Sequence, residues 1–193
     1  IGGLQVANSP VMQANVGYFT SNKTNSNAYL GYDGSGTTGA RVTGNWFLGG
    51  TPLNVVGSNP GAQISGNWLV GAAAPSKGKG KPGNSCLPGN TCVTPPLTLL
   101  VRPDLYESGR ALVTVLALAG GTSQVAVPLA GYADGQLAYV VSAEDPLGPV
   151  RTFAVLSGRI TLPLTGWTVA APVGWPKPAS TLPKFGTFIL RSN

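Results

Sequence analysis

From Leu97 onward the chain breaks into short apolar stretches: LTLLV (97–101), ALVTVLALA (111–119), SQVAVPL (123–129), QLAYVV (136–141), TFAVL (152–156), RITLPL (159–164), GWTVAA (166–171) and FGTFILR (185–191). Gly-Gly, Ala-Asp-Gly and Asp-Pro-Leu-Gly turns separate several of them. Short alternating runs at such spacing predict an all-β fold, an antiparallel sandwich or barrel. ALVTVLALA fits a buried helix by periodicity alone, but its β-branched residues and the Gly-Gly that follows favour a core strand.

Composition agrees. Glycine occurs 28 times and proline 17 times, and both disfavour helix interiors. Disorder does not fit, because apolar residues in regular β-type runs need burial. Only 9% of residues are charged, against about 25% in ordinary soluble domains, so Ser, Thr, Asn and exposed backbone must wet the surface. At 193 residues the chain is long enough to bury roughly 70% of its unfolded surface. No stretch reaches the roughly 18–20 apolar residues that a membrane helix needs, and no membrane insertion is expected. The first residue is Ile1 rather than Met, which reads as a fragment or a processed product.

The formal charge is +6, enough to attract an acidic partner and within the ordinary range for solubility. The basic residues are scattered except for Lys77, Lys79 and Lys81, within PSKGKGKPGNSCLPGNTCVTPP (75–96). That segment has no periodicity and reads as a long exposed loop. Without a dense basic stripe interleaved with aromatics, nucleic-acid binding is not expected. Cys86 and Cys92 lie in the same loop, and their spacing suits either a loop-closing disulfide or two free thiols. Two cysteines without a histidine exclude the usual zinc sets.

Enzyme readings find little to use. With no histidine, Ser-His-Asp and Cys-His arrangements are excluded. Glu144 and Asp145 are adjacent and would face opposite ways in an extended strand. Gly34-Ser35-Gly36-Thr37-Thr38-Gly39 matches a dinucleotide pattern in letters only, since the sequence after it is strand-like and no acid follows at the required distance. No catalytic residue, cofactor or metal is expected. Asn22-Lys23-Thr24 is a formal glycosylation acceptor, relevant to a secreted chain. VTGNWFLGG (42–50) and ISGNWLVG (64–71) resemble each other. Two copies fall short of the three that a repeat array needs, so they read as two similar strands anchored by Trp46 and Trp68.

The opening IGGLQVANSPVMQANVG reads as strand, turn and strand, a ribbon marginal in isolation. Gly3 to Gly17 resembles one repeat of the viral fibre shaft found in adenovirus fibres and the similar reovirus attachment proteins. In that family three chains wind into a triple β-spiral that leads into a C-terminal head, a trimer of antiparallel β-sandwiches. The resemblance implies that Leu4, Val6, Val11 and Val16 face the trimer axis, with Pro10 in the turn. It implies a shaft end at 1–17 and a receptor-binding head at 18–193. The implied function is homotrimeric attachment to a host cell-surface receptor, protein or glycan. The rest of the fibre and the penton base would be further partners, with location on the virion surface and in the host nucleus during assembly. The Thr-Leu-Trp-Thr junction of mammalian adenovirus fibres is missing, which points to an avian or divergent type.

Within that reading the exposed loops are the receptor-contact candidates. Lys77, Lys79 and Lys81 come first by charge, and the Tyr18–Tyr32 segment second, with Tyr29 and Tyr32. The alternative is a bacterial or phage extracellular β-sandwich adhesin or carbohydrate-binding module, which shares the same composition. Oligomeric state separates the two.

Overall fold

The computed structural model describes residues 6–19, 26–32, 35–71 and 86–192. Every regular element among them is a β-strand, so the chain is all-β. It forms two compact units, 1–94 and 95–193. Strand Val16–Tyr18 runs across the 17/18 position at which the sequence suggested a boundary.

The first unit holds β1 (Ala7–Asn8), β2 (Val11–Gln13), β3 (Val16–Tyr18), β4 (Tyr29–Leu30), β5 (Thr37–Thr38), β6 (Arg41–Thr43), β7 (Trp46–Leu48), β8 (Asn54–Val55), β9 (Gln63–Ser65) and β10 (Trp68–Val70). All pairings among these strands are parallel: β1 with β5, β2 with β6 and then β9, β3 with β7 and then β10, β4 with β8. Parallel partners need a crossover of a dozen or more residues, so the chain winds and lays each coil on the one before. The opening ribbon is therefore no hairpin. β1 and β2 do not pair with each other; they lean on residues 37–43 of the same chain.

This arrangement corrects the exclusion of a repeat array. Met12-Gln13-Ala14-Asn15-Val16 stacks under Val42-Thr43-Gly44-Asn45-Trp46, and that under Ile64-Ser65-Gly66-Asn67-Trp68. Leu87-Pro88-Gly89-Asn90-Thr91 begins a fourth rung, where Thr91 bridges Trp68. The asparagines recur at separations of 30, 22 and 23 residues. Ala14, Gly44, Gly66 and Gly89 all have positive φ, between 55° and 78°. The corner before each asparagine is thus left-handed, a conformation that glycine adopts at no steric cost. Inside the coils, Met12, Val42 and Ile64 form one row and Phe47 and Leu69 another, within a core that also holds Leu30 and Leu53. Cys86 and Cys92 form a disulfide around the fourth corner.

The second unit holds β11 (Thr98–Pro103), β12 (Arg110–Leu116), β13 (Gln124–Pro128), β14 (Leu137–Ser142), β15 (Arg151–Ala154), β16 (Arg159–Pro163) and β17 (Phe185–Ser192). An antiparallel sheet of order β11-β12-β17-β14-β15 and the antiparallel pair β13-β16 enclose one apolar core. Val113, Val115, Val140, Phe188 and Leu190 reach it from the larger sheet, and Val125, Val127, Ile160 and Leu162 from the smaller. This is consistent with the antiparallel sandwich expected from the strand spacing. One expected strand does not form: 166–171 is irregular. The Trp167 indole turns back, donating from Nε1 to the Pro163 carbonyl at 2.7 Å and lying 5.1 Å from the Phe188 ring. Downstream, Pro172, Pro176 and Pro178 withhold the N–H groups that a ladder needs.

Candidate binding surface

The irregular segment 165–184 is long, yet fixed at both ends. At its start the Arg151 guanidinium lies 4.2 Å from the centre of the Trp167 ring and donates to the carbonyls of Thr165 and Gly166. That is a cation–π contact combined with hydrogen bonds. Mid-segment, the Ala170 N–H donates to the Glu144 carbonyl at 2.9 Å. Near its end, Glu144 Oε1 accepts from the Thr181 N–H and hydroxyl at 2.7 and 2.8 Å, and Oε2 from the Ser180 hydroxyl at 2.6 Å. Both carboxylate oxygens are thus engaged by uncharged donors, the kind of bond that is stronger than a neutral pair.

Between these anchors the chain projects. The Trp175 N–H donates to the Pro172 carbonyl across Val173 and Gly174, and Gly174 has φ +77°. This is the geometry of a type II turn, which places glycine at its third position. Val173 at the apex is 99% exposed and Trp175 is 77% exposed. Leu147, in the loop after β14, is 98% exposed. That loop and segment 165–184 lie at one end of the sheet pair, since β14 finishes and β17 begins there, with Ser142 opposite Phe188. Isolated exposed apolar residues are commonplace, but three on anchored loops at one end form a feature of the surface.

At the opposite end, the β11–β12 connection exposes Leu105 and Tyr106. Asp104 Oδ1 accepts from the N–H groups of Tyr106 and Glu107 at 2.8 and 3.1 Å. These backbone bonds, with a smaller contribution from Arg110, hold the Asp104 carboxyl below its ordinary pKa. Glu107 is paired with Arg110 at 2.9 Å and Arg191 at 3.6 Å. Asp134 accepts from the Gly158 N–H at 3.1 Å.

The residues singled out in the sequence are dispersed. Lys77, Lys79, Lys81 and Leu4 lie outside the described residues. Tyr29 on β4 and Tyr32 just after it are exposed, and hydrogen bonds from the Ser26 and Asn54 side chains lower the Tyr29 pKa. Val6 and Val11 are 54% and 61% exposed, and Val16 is half-buried beside Trp46. Trp46 and Trp68 stack on successive coils with ring centres 4.7 Å apart and planes 7° from parallel, close to the spacing of adjacent strands. Sequence reasoning missed Leu147, Val173, Trp175 and the anchoring role of Glu144. The proline spacing of PVGWPKP was the available signal. No known protein family, curated protein or solved structure matches the chain.

Proposed function

We propose that this chain is an extracellular attachment protein that binds its target through the loop end of residues 143–150 and 165–184. The observation that carries this reading is the anchoring by Glu144 and Arg151 of a segment whose apex offers Val173 and Trp175 to solvent. Ordering such a segment before contact lowers the entropy lost on binding, and exposed tryptophan is among the residues that contribute most at interfaces. The acids support binding rather than catalysis, because Asp104, Glu107, Asp134 and Glu144 are each engaged in holding a turn or loop. The disulfide suits an oxidising, extracellular setting. The stacked coils of the first unit, with their repeated rungs, suit a structural element.

The test is retention of the tagged full chain on cells, compared with Val173→Ser/Trp175→Ser. Retention should fall several-fold while thermal unfolding stays unchanged. Equal retention by the variant, or turnover of a glycan in place of retention, would remove the reading.

A second reading, the homotrimeric viral fibre, is favoured by the exposure of Val6 and Val11 in the first coil. Apolar residues open at that position suit a contact along a common axis, and three chains would present three equivalent sites. Sedimentation giving a stable trimer would support it, and a monomer would remove it.

A further inference from the structure

The chemistry of the same loop end narrows what it binds, and the inference rests on the attachment reading above. We infer that Leu147, Val173 and Trp175 dip into the headgroup boundary of an anionic lipid bilayer, so that the chain docks on a membrane surface without crossing it. Val173 and Trp175 project from a convex turn: a Cβ on Gly174 between them would meet nothing within 4 Å. A small sugar or peptide is usually held in a concave site with convergent polar groups. On the two loops of this end two aliphatic side chains, Leu147 and Val173, are almost wholly in water, which a polar ligand would leave unused. A bilayer interface receives such groups, and tryptophan is enriched at that depth.

Charge points the same way. From Pro146 to Phe185 the sequence contains no aspartate or glutamate, while Arg151 at the start of β15 and Lys177 and Lys184 in the irregular segment fall at this end of the sheets. Lys177 follows Trp175 by two residues, where its long stem can lie along the interface and its ammonium can meet lipid phosphates. The carboxylate at the base of the segment, Glu144, is covered by the Ser180 and Thr181 donors. The remaining acid of that loop, Asp145, sits beside Gly148. Short insertion on a basic background gives weak, salt-sensitive affinity. Such affinity suits an attachment protein that gains strength from several contacts.

The experiment is co-flotation of the full chain with protein-free vesicles of phosphatidylcholine containing phosphatidylserine, and with vesicles of phosphatidylcholine alone. Binding should favour the anionic vesicles and weaken with added salt. Leu147→Ser/Val173→Ser/Trp175→Ser should lower it by at least about tenfold, with the melting temperature unchanged. Bromine-labelled lipid should quench part of the tryptophan emission, and Trp175→Ser should abolish that part. Retention on cells with no vesicle binding would overturn the lipid assignment and leave attachment standing, the ligand then being a protein or glycan. Absence of both would overturn both. Vesicle binding that survives the triple substitution would overturn the placement at this loop end.

Discussion

The side-chain oxygen of Asn67 accepts both the backbone and the side-chain N–H of Asn45, at 2.9 and 2.8 Å. The same double bond joins Asn15 to Asn45 at 2.9 Å each, and Asn67 to Asn90 at 3.0 and 2.8 Å. Three of the amide nitrogens also reach back one coil, from Asn45 to the Met12 carbonyl, Asn67 to Val42 and Asn90 to Ile64. The four asparagines thus form a directional chain of amides, a pattern in which each bond polarises the next. Asn45 and Asn67 are fully buried, and a buried polar side chain specifies register because no neighbouring position satisfies it.

Asn67→Ala removes the acceptor for two Asn45 donors and the donor for the Val42 carbonyl, all buried. It should destabilise the first unit by about 3 kcal/mol, the scale for leaving buried polar groups unpaired. Asn15→Ala, at an exposed rung with water at hand, should cost about 1 kcal/mol. Urea unfolding followed by the circular dichroism of the Trp46–Trp68 pair would measure both, and equal losses would refute the ladder's dependence on burial.

The corner before each asparagine provides a second test. Ala14 alone in the column is not glycine, at φ 55°, and a left-handed alanine is strained by roughly 1–2 kcal/mol. After the greater entropy of glycine in the unfolded chain is subtracted, Ala14→Gly should stabilise by about 0.5–1 kcal/mol. Gly44→Ala should destabilise by about 1 kcal/mol, again through the left-handed backbone. Its added methyl meets nothing within 4 Å, so the change isolates the backbone conformation. The two substitutions should move the same transition in opposite directions.

The two units differed in how far sequence disclosed them. β13 alternates exposed and buried along Gln124–Pro128, and β14, β15, β16 and β17 follow comparable patterns, because each sheet has one face on the core. The coils have strands of only two or three residues, too short for a period of two to declare itself. The Trp46 and Trp68 copies stood out, while Ala14 and Val16 disguised the rung below and Pro88 and Thr91 the rung above. The asparagine column was the common signal. Segment 166–171 alternates like a strand, but alternation says nothing of the indole folding back or of the prolines beyond. Glu144 drew attention as an acid with chemistry to offer, whereas its role is set by Ser180 and Thr181, some 36 and 37 residues away.

The disulfide closes a separation of six residues around the last described corner. The chain-entropy model assigns a loop of that size about 2 kcal/mol. Cys86→Ser/Cys92→Ser should lose about that much from the first unit, with the largest rise in hydrogen exchange at Asn67 and Thr91, whose N–H groups bond across this corner. Uniform exchange throughout the unit would argue against a local clasp.

The β11–β12 tip should respond to pH. The folded Asp104 carboxyl titrates below its ordinary value because the Tyr106 and Glu107 N–H groups bond its ionised form. A lowered folded pKa means that this contribution is complete above the unfolded value and is lost as pH falls through the lowered one. The Tyr106 and Glu107 amide resonances should therefore move together in that acidic window, and Asp104→Asn should abolish the movement. Resonances that titrate at the ordinary carboxylate value in the wild type would contradict the assignment.

The anchoring of segment 165–184 by Glu144 is testable apart from any ligand. Glu144→Ala removes the acceptor of the Thr181 N–H and of the Ser180 and Thr181 hydroxyls, while the Ala170 bond to the residue-144 carbonyl remains available. The core residues around Phe188 do not depend on that carboxylate, so global stability should fall by only about 1–2 kcal/mol. The local effect should be larger: faster exchange at the Thr181 amide and quicker proteolysis near Lys177. Retention on cells should fall with Val173 and Trp175 both intact, because ordering the turn is then charged against binding. Glu144→Gln keeps one amide oxygen to accept from Thr181 and should recover part of the protection and part of the retention. If Glu144→Ala frees the segment yet leaves retention at the wild-type level, the anchor is structural alone and the binding surface lies elsewhere.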